Sequence, residues 1–276
     1  MIIVMRIMKI LNNNAVIIKE ENQEKIAIGA GLGFHKGKND LVDQSKIEKL
    51  FVLKENEKLE QLLLRIPEEH FTLTEEIIAY AEQKLRIKLN SHVLLAITDH
   101  ISFAIEREKQ GIHLQNKLLH EIKILYKEEF EIGLWAIHHI KEKLGIEMVN
   151  DEAAFIALHI HTMKVQGGDV REVVKQTSII RDIVETIKDY LHVSIREQDL
   201  AYERLITHIR FALDRASNYN VHAMDEEMLT MIKRKFPVAY DCAKVVAKRL
   251  LDQHGIDLPD EELGYITLHI ERLREN

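Results

Sequence analysis

Two stretches of this chain occur twice, in the same order and at almost the same separation. His100-Ile-Ser-Phe-Ala-Ile-Glu-Arg107 matches His208-Ile-Arg-Phe-Ala-Leu-Asp-Arg215 at an offset of 108 residues. The run from Gly145 to Ile160 matches Gly255 to Ile270 at an offset of 110. A period that long marks a duplicated domain, because solenoid repeats run only to about 50 residues. From Leu59 onward the apolar spacing is helical with few breaks, so the duplicated unit is an all-α bundle. Three prolines and eleven glycines in 276 residues are too few for a sandwich or barrel built on many tight turns.

The first fifty or so residues differ. Ile7–Leu11, Ala15–Lys19, Lys25–Ile28 and Phe51–Leu53 are short runs rich in β-branched residues. Asn12-Asn13-Asn14 separates the first two, and Gly29-Ala-Gly-Leu-Gly33 supplies a tight bend after the third. The expected head is a small antiparallel sheet. So short a unit buries little apolar surface alone, and a two-fold dimer is the simplest remedy. With the hinge at Gln166-Gly167-Gly168-Asp169, the expected domains are 1–58, 59–168 and 169–276.

Composition narrows the classes. The single cysteine, Cys242, excludes an internal disulfide framework and a cysteine-rich zinc module. The net charge of -7 is uneven: residues 1–53 hold eight Lys and Arg against six Asp and Glu, so the acidity lies in the helical body. A mildly basic head allows nucleic-acid binding there and argues against it elsewhere. The N-terminal MIIVMRIMKIL is too short to span a bilayer and lacks a signal cleavage site, so a cytoplasmic protein without membrane insertion is expected.

The duplication also sorts the fifteen histidines. Four recur at matching places, His100 with His208 and His159 with His269. A position kept through a duplication was needed by both copies. The plain reading of any one of them is a core imidazole making a structural hydrogen bond; two paired recurrences shift weight towards function. Metal binding fits poorly, since no two histidines are three or four residues apart as in HExxH sites. No GxSxG or P-loop motif is present, and Cys242 sits in an apolar helical setting. No catalytic residue, metal or cofactor is therefore expected, and the chain is read as a non-enzyme. What remains is phosphate acceptance by the imidazoles, which adds about two negative charges and can make or break an interface. Arg107 and Arg215 lie two helical turns after His100 and His208, placed either to meet a phosphate or to hold a carboxylate. In the head, Asn12, Asn14 and Phe34 fit turn formation and packing, or base-edge contact and stacking on RNA.

These residues resemble a known family. Lys9-Ile-Leu-Asn-Asn-Asn14, Gly29-Ala-Gly-Leu-Gly-Phe34-His-Lys and Ile47-Glu-Lys-Leu-Phe51 are similar to the RNA-binding co-antiterminator domain of the BglG/SacY transcriptional antiterminators. Thr98-Asp99-His100, Phe155-Ile-Ala-Leu-His159, Leu205-Ile-Thr-His208 and Ile266-Thr-Leu-His269 resemble the phosphorylatable sites of that family's tandem phosphotransferase-system (PTS) regulation domains, closest to the β-glucoside type. The resemblance implies a dimeric sheet that binds a hairpin in leader messenger RNA through Lys9, Asn12, Asn14, Gly29 and Phe34 and prevents a terminator from forming in a sugar operon. It further implies that His100 and His159 are phosphorylated by a sugar permease, which inactivates, and His208 and His269 by the phosphocarrier HPr, which activates. Asp99 belongs to the first of these motifs. Ala30 departs from the family, where a basic residue is frequent. A PTS-regulated DNA-binding activator is the alternative, and it needs a helix-turn-helix that the strand-patterned head does not offer.

Overall fold

The computed structural model describes residues 5–20, 23–52, 64–89, 94–164, 169–193, 200–218 and 224–275. Leu53, the head boundary near residue 58 and the hinge residues 166–168 lie outside the described residues. The chain forms two compact units: residues 1–114 with 132–167, and residues 115–131 with 168–276.

The first unit begins with four strands, β1 (Ile7–Asn12), β2 (Ala15–Glu20), β3 (Gln23–Ile28) and β4 (Lys49–Val52), in one antiparallel sheet of order β1-β2-β3-β4. The asparagine run makes the first turn: Asn12 pairs with Ala15, leaving Asn13 and Asn14 as a two-residue hairpin loop. Side chains alternate across a strand, yet all of Ala15 to Ile18 are buried. Val16 and Ile18 pack with Met5, Ile7, Leu32 and Val42 on one face. Ala15 and Ile17 face the other way, into the same core as helices α1 (Glu68–Leu85), α2 (Leu94–Lys109), α4 (Lys127–Leu144) and α5 (Asn150–Lys164). The burial that so small a sheet lacks alone is thus supplied in part by the helices of its own unit.

The second unit contains α3 (Leu119–Leu125), α6 (Val170–Leu191), α7 (Leu200–Asn218), α8 (Glu226–Lys235), α9 (Pro237–His254) and α10 (Asp260–Arg274). Its boundaries follow local chemistry: Asp169 and Asp225 cap the starts of α6 and α8 through their side chains, and Gly255 ends α9 at φ 67°. Helix α3 packs on α6 and α7. Tyr202 donates its hydroxyl to the buried Glu121 at 3.3 Å, and Arg210 donates to the Leu125 carbonyl at 3.4 Å. No helix of the described residues is long and apolar enough to cross a membrane.

Candidate functional site

The first repeat sets His100 on α2 beside His159 on α5. Their ring centroids are 5.1 Å apart and tilted by 38°, with Phe155, one turn before His159, 5.6 Å from His100. Beneath the rings lies Glu152, fully buried. Its Oε1 accepts from Arg107, and its Oε2 stands 3.3 Å from His100 Nε2. Burial pushes the Glu152 carboxyl up, but His100 and Arg107 outweigh it and hold the group below the usual carboxylate range.

The second repeat builds the same arrangement from α7 and α10. His208 and His269 stack at 4.0 Å and 25°. Arg215 donates from Nε and Nη2 to the two oxygens of Glu262, both at 2.6 Å. Glu262 is buried too. Of the two roles open to the arginines, the structure shows the carboxylate: each holds a buried glutamate from the neighbouring helix, and in the first repeat that glutamate also meets His100. A buried carboxylate without such a partner is strongly unfavourable.

Access differs among the four rings. His208 is exposed, His100 and His159 are partly buried, and His269 is only 9% exposed. The ring atom sealed from solvent is Nε2 in His100 and Nδ1 in His159, which leaves the other nitrogen of each ring as its accessible one. Burial, reinforced by His100, pushes the His159 ring down to about 3. Burial together with His208, Arg272 and Arg204 takes His269 down to about 4. His208 is also below its ordinary value, through partial burial of its ring and then the charges of Arg215 and Arg272. These three rings are neutral near pH 7, and a neutral imidazole offers a nucleophilic lone pair. Cys242 offers no rival nucleophile, because burial pushes its thiol up to about 12. Among the described residues, no three His, Cys, Asp or Glu side chains converge as they would around a metal ion.

Glu152 and Glu262 are the residues of this site that the sequence did not single out. The signal was available, since both lie in the block repeated at an offset of 110. Asp99 is exposed, and its counterpart in the second copy is Thr207, so the recurrence does not extend to it.

In the head, the expected RNA residues fall into two groups. Lys9 is exposed on β1, and Phe34 is 54% exposed, with its ring 4.1 Å from that of His35. Lys36 and Lys38, not singled out from sequence, are exposed on the same loop. The other group shapes the loop. Asn12 Oδ1 accepts from the Asn14 amide at 2.9 Å, and the buried Asn14 accepts on Oδ1 from the Gly31 amide at 2.7 Å. A Cβ on Gly29 would stand 1.8 Å from the Lys46 carbonyl oxygen, so only glycine lets the two segments approach. The hairpin turn and the glycine bend are locked together, with Phe34 projecting beyond them.

A sheet-based head followed by duplicated bundles with paired imidazoles defines a regulatory class. The CAT RNA binding domain matches residues 5–60, and the PRD domain matches residues 75–163 and again 181–273. The chain belongs to the BglG/SacY family of antiterminators, which join these two kinds of domain. It is 37% identical to the transcription antiterminator LicT of Bacillus subtilis (strain 168), over 98% of this chain and 99% of that protein. It is 38% identical to the β-glucoside operon antiterminator of Dickeya chrysanthemi, over 98% of this chain and 97% of that protein. The crystal structure of GlcT CAT-PRDI matches 59% of this chain and 99% of that one, with a TM-score of 0.53 and 34% identity.

Proposed function

We propose that the protein is a transcriptional antiterminator of a sugar-utilisation operon. As a homodimer it binds a leader-mRNA hairpin and prevents terminator formation, and histidine phosphorylation from the PTS controls it. The observation that carries this reading is the duplicated arrangement of two adjacent imidazoles above a buried Arg–Glu pair, in a chain whose head presents an aromatic among cations.

Chemically, the chain accepts a phosphoryl group and transfers none by a mechanism of its own. The lone pair of a neutral ring attacks phosphorus on the donor's phosphohistidine. A new N–P bond forms as the donor's N–P bond breaks, and the donor imidazole leaves with that electron pair. Each ring keeps its single N–H proton throughout. The permease modifies His100 and His159, and HPr modifies His208 and His269. The rigid Arg–Glu pairs hold the rings still, so an added dianion acts on its surroundings rather than dissipating in local motion. On the RNA, Phe34 stacks on an unpaired base and Lys9 and Lys36 meet phosphates, while Asn12, Asn14 and Gly29 preserve the loop that presents them.

Incubation of the full chain with phosphoenolpyruvate, enzyme I and HPr should place radiolabelled phosphate on the second repeat. His208→Ala with His269→Ala should abolish that label. Unchanged labelling of the double variant would refute the assignment.

A further inference from the structure

Beside His208 the second unit holds an open cavity of about 460 Å³. Its walls come from three elements: His120 and Lys123 of α3, Lys127 at the start of α4, and Glu203, Arg204 and His208 of α7. Three permanent cations thus face one carboxylate. Like charges gathered in one depression repel one another, and an anion relieves that repulsion. Among the described residues, neither Lys127 nor Arg204 is engaged by a carboxylate, while Lys123 lies 5.5 Å above the Phe130 ring. The arginine that the repeat supplies near His208 is not free for the task, since both oxygens of Glu262 hold Arg215.

We propose that this cavity is the receiving pocket for the phosphoryl group carried by His208, with Lys123, Lys127 and Arg204 as its ligands. The proposal rests on the reading of His208 as a phosphorylated residue. A dianion on the ring is tetrahedral and accepts from several donors at once, which suits two ammonium groups and one guanidinium from different elements. Closing them on it ties α3 and the start of α4 to α7. Residues 115–131 lie, in sequence, between the two repeated blocks of the first bundle, so phosphorylation in the second repeat would be felt directly by a segment of the first. Glu203 opposes the anion and limits the strength of the clamp.

The test uses the full chain phosphorylated with phosphoramidate, a small donor that needs no protein docking surface. Mass spectrometry locates the label, and amide hydrogen exchange reads residues 115–131. We expect label on His208 and at least tenfold slower exchange in that segment. In Lys123→Gln/Lys127→Gln, label should still form, but the slowing should vanish and the phosphohistidine should hydrolyse several-fold faster. In Glu203→Gln hydrolysis should be slower than in the unaltered chain. Label on His208 with exchange and hydrolysis unaffected by these substitutions would overturn the pocket alone. Absence of label on His208 in a folded chain would overturn the phosphorylation reading and the pocket with it. Inorganic phosphate added to the unmodified chain is the control; equal protection from it would reassign the cavity to a free anion.

Discussion

Arg107 and Arg215 show how one residue type can serve a site without touching the reacting group. Each sits two turns from a histidine, but its partner is a buried glutamate on the neighbouring helix. Removing the arginine strands that carboxylate, so Arg107→Ala and Arg215→Ala should each destabilise the chain by about 3 kcal/mol, measured by urea denaturation. The imidazoles set a pH dependence of definite sign. A ring whose folded value lies below 6.5 binds fewer protons in the native state than in the unfolded chain over that window, so stability falls as pH falls. For His269 the window runs from 6.5 down to about 4, and for His159 down to about 3. Denaturation midpoints should drop between about pH 7 and pH 5, and His159→Gln with His269→Gln should flatten the slope; an unchanged slope would mean that the rings are not buried as described. The recurring histidines were legible because the duplication repeats them. Their glutamates were equally legible in principle, but a charged residue at a helix start reads as solvated until folding buries it.

At the scale of elements, strands and helices followed from local pattern. The triple asparagine and the β-branched runs mark the hairpin, and the 3.6-residue period marks the bundles. The placement of α3 did not follow, because a seven-residue helix carries too little periodicity to say which core it joins. Its anchor is Glu121, buried against Tyr202, and burial raises this carboxyl above its ordinary value. The folded state then holds a proton that the unfolded chain has released, so stability falls as pH rises through that window. Glu121→Gln keeps a hydrogen-bond acceptor for Tyr202 and removes the buried charge. It should raise stability near pH 7 by about 1 kcal/mol and abolish this contribution to the pH slope, read by thermal denaturation at two pH values.

For the whole molecule, the chain joins one RNA-binding head to two copies of one regulatory bundle. A sheet presents Phe34 and its flanking cations, and two copies of one bundle each present an imidazole pair of different accessibility. Matching rings differ in access, His208 being exposed where His100 is partly buried and His269 buried where His159 is partly buried, so packing sets the access of each ring separately. Head and bundles were distinguishable in sequence by period alone. That residues 115–131 fold with the second unit was not, since it depends on contacts between residues some eighty positions apart, such as Glu121 with Tyr202. The central claim is that phosphate on these histidines governs RNA binding. Its most direct test is the affinity of the full chain for its leader hairpin, before and after phosphorylation by phosphoenolpyruvate, enzyme I and HPr. The account predicts at least a tenfold gain, equivalent to about 1.4 kcal/mol, that disappears in His208→Ala/His269→Ala. Equal affinity of the labelled and unlabelled chains would contradict it.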